Sequence, residues 1–124
     1  MYQKVSKEHA KHYIWGSKCD SWVFVDKENL SVKLECMPPD TKENIHYHTK
    51  ALQFFYILKG EAIFHIHENE VNIRAQEGIL ISPQTIHFIE NRSNERIDFL
   101  VISQPTTNND RFSVNRNIQT YDKD

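Results

Sequence analysis

Short runs of β-branched and aromatic residues, alternating with polar ones and broken every few positions by turn-forming residues, dominate this chain of 124 residues. A helix needs apolar residues three and four apart, whereas these runs repeat every two. They predict strands at 21–26, 30–37, 45–49, 52–59, 62–67, 71–75, 79–82, 86–91 and 97–103. The breaks between them are Asp26-Lys27-Glu28-Asn29, Pro38-Pro39-Asp40, Lys59-Gly60, Glu68-Asn69, Gly78 and residues 91–95, the residue types that favour turns. Strands this short and this closely spaced fold as a sandwich or a barrel, an all-β architecture. The last run is apolar on both faces, with Ile97, Phe99 and Val101 on one and Leu100 and Ile102 on the other. Burial on both sides implies sheet-to-sheet association, so a homodimer is expected.

A chain of this length supports one domain with one core. The barrel is expected over 21–105, with a segment at 1–20 packing on it. Within that segment, residues 7–14 have too little periodicity to separate one or two helical turns from irregular structure. After Pro105 the sequence turns polar and Asn-rich. With few apolar groups to offset the entropy of ordering, 106–124 is expected as a tail that lies over the barrel or stays mobile.

Composition narrows the partners. Fifteen basic residues against 17 acidic ones give no footprint for nucleic acid. The longest mostly apolar stretch, 51–58, includes Gln53 and falls far short of the roughly 20 residues that cross a bilayer, so no membrane association is expected. The N-terminus lacks the continuous apolar core of an export signal, and a cytoplasmic protein is expected. Cys19 and Cys36 have no C-x-x-C spacing and read as reduced, partly buried thiols.

Two His-x-His pairs stand out, His46/His48 and His65/His67. Residues two apart in a strand share a face, so either pair could offer both imidazoles to one ion. For His65 and His67 the simpler reading is a solvated or subunit-facing pair, since Phe64 and Ile66 take the opposite face. His9 and His12 read as surface residues.

The first pair has the richer surroundings. His46-x-His48 is followed by four residues and Gln53, then six residues and Gly60; after a hairpin come Gly78, Pro83, His87 and Asn91. Over about 38–105 this pattern resembles the cupin superfamily, in particular small single-domain bacterial cupins of the mannose-6-phosphate-isomerase-like kind. The resemblance implies a double-stranded β-helix, or jelly-roll barrel, holding one divalent ion (Fe, Ni, Mn, Co or Zn) through His46, His48, Gln53 and His87. Gln53 stands where the family usually has glutamate, and Gln84-Thr85-Ile86 stand where many members have a glycine. A neutral amide leaves more positive charge on the ion, a stronger Lewis acid and a better seat for an anionic substrate. By strand parity Phe55 and Ile57 share the face of Gln53, and they are expected in the pocket wall together with Phe99 and Val101. The alternative is a barrel that keeps these residues as a polar pocket without metal.

What the resemblance implies for function is a metal-dependent enzyme of isomerase-like or lyase chemistry on a small sugar, sugar acid or keto acid. An iron-dependent dioxygenase, which oxygen uptake would reveal, and a non-catalytic sugar- or metabolite-binding cupin are the competing readings. The motifs supply no Asp, Glu or Lys as general base, which favours the binding module.

Overall fold

The computed structural model describes residues 1–114 in full and the backbone of residues 115 and 120–123. Strands β1 (Lys11–Trp15), β2 (Cys19–Lys27), β3 (Leu30–Met37), β11 (Ile97–Gln104), β6 (Leu52–Lys59) and β9 (Gly78–Ile81) form one sheet in the order β1-β2-β3-β11-β6-β9. The second sheet runs β13 (Thr120–Lys123), β12 (Phe112–Asn115), β5 (His46–Tyr47), β10 (His87–Asn91), β7 (Glu61–Ile66), β8 (Asn69–Arg74), and β4 (Thr41–Lys42) pairs with β10. Every pairing is antiparallel. The two sheets enclose Met37, Ile57, Phe64, Ile89, Ile97 and Phe99, all fully buried, and sheet closure leaves few free edges.

The nine runs expected from alternation are all strands, two of them (30–37 and 52–59) with the expected bounds. The expected strand at 45–49 keeps only two paired residues, because the chain after His48 bends around the carboxylate of Asp110. Gly60 turns the β6–β7 hairpin at φ +90, and a Cβ there would meet Ile97 Cγ2 at 2.7 Å. No side chain fits that corner.

Both flanks pair with the barrel as strands. Residues 7–14 are not helical: a turn at 7–9 leads into β1, an edge strand paired with β2 from Lys11↔Val23 to Trp15↔Cys19. The apolar residues Tyr13 and Trp15 are two apart, a strand period, and a neighbouring edge was available to pair. Lys7 Nζ sits 4.2 Å from the Trp22 ring centroid, tying the N-terminal segment to the sheet. After Pro105, β12 pairs with β5, Phe112 opposite Tyr47 and Ser113 opposite His46. This polar stretch is ordered through hydrogen bonds, with Phe112 packed on the Tyr47 ring. Residues 116–119 and 124 of the expected tail lie outside the described residues.

The first sheet also inverts the usual alternation. On β3, Ser31, Lys33 and Glu35 line an internal cavity, so Val32 and Leu34 face outward. Outside, two cross-strand rows, Trp22–Leu34–Leu100–Tyr56 and Val32–Ile102–Phe54–Leu80, give an apolar outer face. Leu80 is 62% exposed.

Candidate metal centre

His46 and His48 leave β5 on one face, as a period of two requires, while Tyr47 turns outward and stacks on Phe112 at 5.3 Å. His87 opens β10 directly opposite His46. The three rings are buried, and their available ligand atoms all lie within 4.8 Å of one another. Among the described residues this is the one group of His, Cys, Asp and Glu side chains with that property.

Each ring is oriented by a backbone carbonyl. His46 Nδ1 donates to Asn44 O, His48 Nδ1 to Asp110 O and His87 Nδ1 to Thr85 O, each at 2.7 Å. A carbonyl only accepts, so the proton resides on Nδ1 and the lone pair on Nε2. His48 Nε2 and His87 Nε2 are buried with no partner, which in a folded protein is uncommon and calls for a ligand. Burial pushes the His46 imidazole down to about 3, with the Arg111 charge adding to it. Burial also lowers His87 to about 4, reinforced by His46, and lowers His48. All three are therefore neutral and able to ligate at physiological pH.

Gln53 enters from the opposite sheet, on β6. Its Nε2 donates to Ser103 Oγ at 3.1 Å, which leaves Oε1 buried and unpartnered. Two ring nitrogens and one amide oxygen thus lack partners in a region where all three atoms could bind a cation. The donor set fits a divalent ion of the borderline class.

A cavity of about 310 Å3 opens beside His46, His48 and Gln53, at the small end of the ~300–1,000 Å3 typical of small-molecule sites. Of the expected wall residues, Phe55 and Val101 line it. Ile57 and Phe99 are instead wholly buried in the core cluster.

Several residues of the site gave no signal in the motifs. Glu35, Glu43, Lys33, Lys42 and Arg111 also line the cavity. Burial pushes Glu35 up to about 7; a nearby Ser21 hydroxyl lowers it and the Glu43 charge raises it. The alternation Ser31/Lys33/Glu35 was visible in the sequence, but polar residues on a strand ordinarily face water. Asp110 is the other unforeseen residue. Its carboxylate accepts from the N–H groups of Thr49, Lys50 and Ala51 and from Thr49 Oγ1, while its carbonyl holds His48.

The turn before His87 answers the missing glycine. Gln84 adopts φ +67, the left-handed conformation a glycine would take freely, and its N–H donates to the His48 carbonyl. Asn91 at the end of the second motif is structural: its Nδ2 donates to Met37 O, Pro38 O and Glu95 O. His65 stacks on Phe88 with centroids 4.0 Å apart and bonds to Glu90 at 2.7 Å, outside the metal-competent group. Cys19 and Cys36 are buried free thiols, both pushed up by burial, and Arg96 donates to Cys36 Sγ.

The fold and the site together define a class: a jelly-roll barrel with three convergent imidazoles at one end of an internal cavity. The chain belongs to the cupin family, whose Cupin domain matches residues 33–103. An oxalate-binding protein of Thermotoga maritima is 32% identical over 77 residues, covering 62% of this chain and 63% of that protein. A Methanocaldococcus jannaschii protein is 29% identical over 69 residues, covering 56% of this chain and 55% of its own length. The matches thus span less than two thirds of either relative. Among solved structures, a predicted oxalate decarboxylase of Thermotoga maritima superposes with TM-score 0.77 at 20% identity, covering 84% of this chain and all of that one. A sugar phosphate isomerase of Silicibacter pomeroyi superposes with TM-score 0.75 at 15% identity, covering 98% and 92%. At such identities the likeness is one of fold. Among the described residues no helix is long and apolar enough to cross a membrane.

Proposed function

We propose that this cupin binds one divalent ion through His46, His48, His87 and Gln53 and acts on a small carboxylate-bearing molecule, a sugar acid or keto acid, by isomerase-like proton transfer. The observation that carries it is the set of buried, unpartnered Nε2 and Oε1 atoms, with every imidazole tethered through Nδ1. A bound ion would supply Lewis acidity toward a carbonyl or carboxylate oxygen. The cavity wall adds Lys33, Lys42 and Arg111 against Glu35 and Glu43, a net positive balance that favours an anionic ligand. Glu43, whose negative charge is felt at His48 and His87, is a carboxylate available for proton transfer, which the motifs alone did not offer. Its Oε1 accepts from Ile89 N–H and its Oε2 lies 3.8 Å from Arg111 Nη1, so its position is fixed.

Elemental analysis of protein purified without added metal is expected to find close to one divalent ion per chain, and His46→Ala to reduce this to background. An unchanged metal content in His46→Ala would refute the ligand assignment. With the identified metal in place, NMR is expected to detect solvent deuterium entering the carbon next to the carbonyl of D-glucuronate or D-galacturonate. The name of the Thermotoga maritima relative favours a second reading, capture of a small acid without turnover. A ligand bound tightly and recovered without deuterium would favour capture.

The apolar outer face of the first sheet supports a homodimer, with the exposed Phe54 and Leu80 toward its β9 edge. Light scattering is expected to give the mass of two chains, and Leu80→Lys that of one. A monomeric wild-type protein would remove this reading. Two free buried thiols fit a cytoplasmic setting.

A further inference from the structure

The cavity extends beyond the histidines, and its other end carries polar groups of its own. Ser31, Ser103 and Gln53 share one cross-strand row; Tyr13, Ser21 and Glu35 share another. Along β3 the two rows are four residues apart, about 13 Å of extended strand. Trp15 Nε1, from a residue that lines the same cavity, is buried and has no hydrogen-bond partner, while the buried Ser21 hydroxyl lies against the Glu35 carboxyl and lowers it. Glu35 lines the cavity too. Beside them Lys33 Nζ donates to Tyr13 Oη at 3.0 Å.

We infer that this end of the cavity is a hydroxyl-recognition subsite, in which Trp15 Nε1 and the Glu35 carboxyl, backed by the Ser21 hydroxyl, bind the polyhydroxy chain of a sugar acid whose carboxylate end lies at the histidines. The inference rests on the reading of the histidine end given above and deepens it by naming the substrate class. The donor set decides for hydroxyls. An indole N–H only donates and an ionised carboxyl only accepts. Sugar hydroxyls donate and accept in turn, so a row of them satisfies both groups. A second carboxylate would meet Glu35 and Glu43 with like charge. Glu35, raised to about 7 mainly by burial, can also present its own proton near neutrality. The separation of the rows decides for length, since the side chains of Glu35 and Gln53 shorten the gap but leave a two-carbon acid unable to reach both ends.

Calorimetric titration of the metal-loaded protein with D-gluconate and with glycolate tests this. Wild-type protein is expected to bind gluconate at least about tenfold more tightly than glycolate, as two or three added hydrogen bonds allow. Trp15→Phe is expected to weaken gluconate binding about tenfold and to leave glycolate within about twofold of wild type, and Glu35→Gln to cut the preference for gluconate over glycolate about tenfold. Trp15→Phe keeps an aromatic ring and Glu35→Gln keeps the side-chain shape, so the fold persists; glycolate binding retained by both variants verifies this in the same experiment. Equal affinity for the two acids, or variants that weaken both alike or neither, would overturn the subsite and leave the metal reading standing. If neither acid bound the wild-type protein, the carboxylate reading would fall, and the subsite with it.

Discussion

Asp110→Ala is expected to destabilise the protein by about 3–5 kcal/mol and to weaken metal binding by roughly 10- to 100-fold. The carboxylate is buried and is held below its usual range: burial works to raise it, but hydrogen bonds from the Thr49 hydroxyl and from the N–H groups of Lys50, Thr49 and Ala51 outweigh that. Hydrogen bonds to a charged acceptor contribute about 1.5–3 kcal/mol each. Water can replace the partners of half-buried Thr49 and exposed Lys50, but the buried Ala51 N–H would be left unsatisfied. Against a total stability of about 5–15 kcal/mol, such a loss is severe. The metal effect follows because the same residue's carbonyl fixes the His48 ring, and freeing the loop frees the ligand. Urea unfolding and metal titration at neutral pH measure both effects. A variant within about 1 kcal/mol of wild type, or one with undiminished metal affinity, would show that Asp110 is not the anchor of this loop. Asp110→Asn, which keeps one acceptor oxygen, is expected to fall between.

In chelator-treated protein, acidification from about pH 7 to about pH 5 is expected to lower stability by roughly 2 kcal/mol, and by roughly 4 kcal/mol in Glu35→Gln. Burial first, then the Arg111 charge, takes His46 from 6.5 to about 3. Burial and the neighbouring His46 take His87 from 6.5 to about 4. The unfolded chain therefore binds these protons first, and the stability contributed above pH 6.5 is lost as pH falls toward the folded values. At ~1.36 kcal/mol per pH unit over about 1.5 units, each histidine contributes a loss of about 2 kcal/mol. His48, also lowered, acts in the same direction. Glu35 acts in the opposite one. Burial raises it from 4.5 to about 7, so the folded protein takes up its proton first, and acidification over this range returns about 2 kcal/mol. Glu35→Gln removes that offset. Urea midpoints measured at several pH values with chelator present distinguish the two proteins. Stability that stays flat across the range in both wild type and Glu35→Gln would refute the buried neutral imidazoles.

Much of the barrel was legible because a strand's side-chain period is a local property. Alternation located nine strands, and the spacing from His46 to Asn91 carried the family resemblance. Local rules said less at the flanks. Residues 7–14 have no strong period of their own and became strand because β2 offered an edge. Residues 106–115 are polar, yet Asp110 is held by the backbone of 49–51, some 60 positions away in the chain, and no window of sequence contains both partners.

The sequence by itself determined which residues could ligate: His46 and His48 share a face because strand geometry fixes that over three residues. Only the tertiary structure decided that His87 comes opposite His46 and that the ring protons sit on Nδ1. It also decided that Lys33 and Glu35 face inward. Which side of a strand is the inside depends on what packs against each face. Here an apolar outer face and a polar cavity reverse the ordinary rule, and only the closure of the two sheets reveals it.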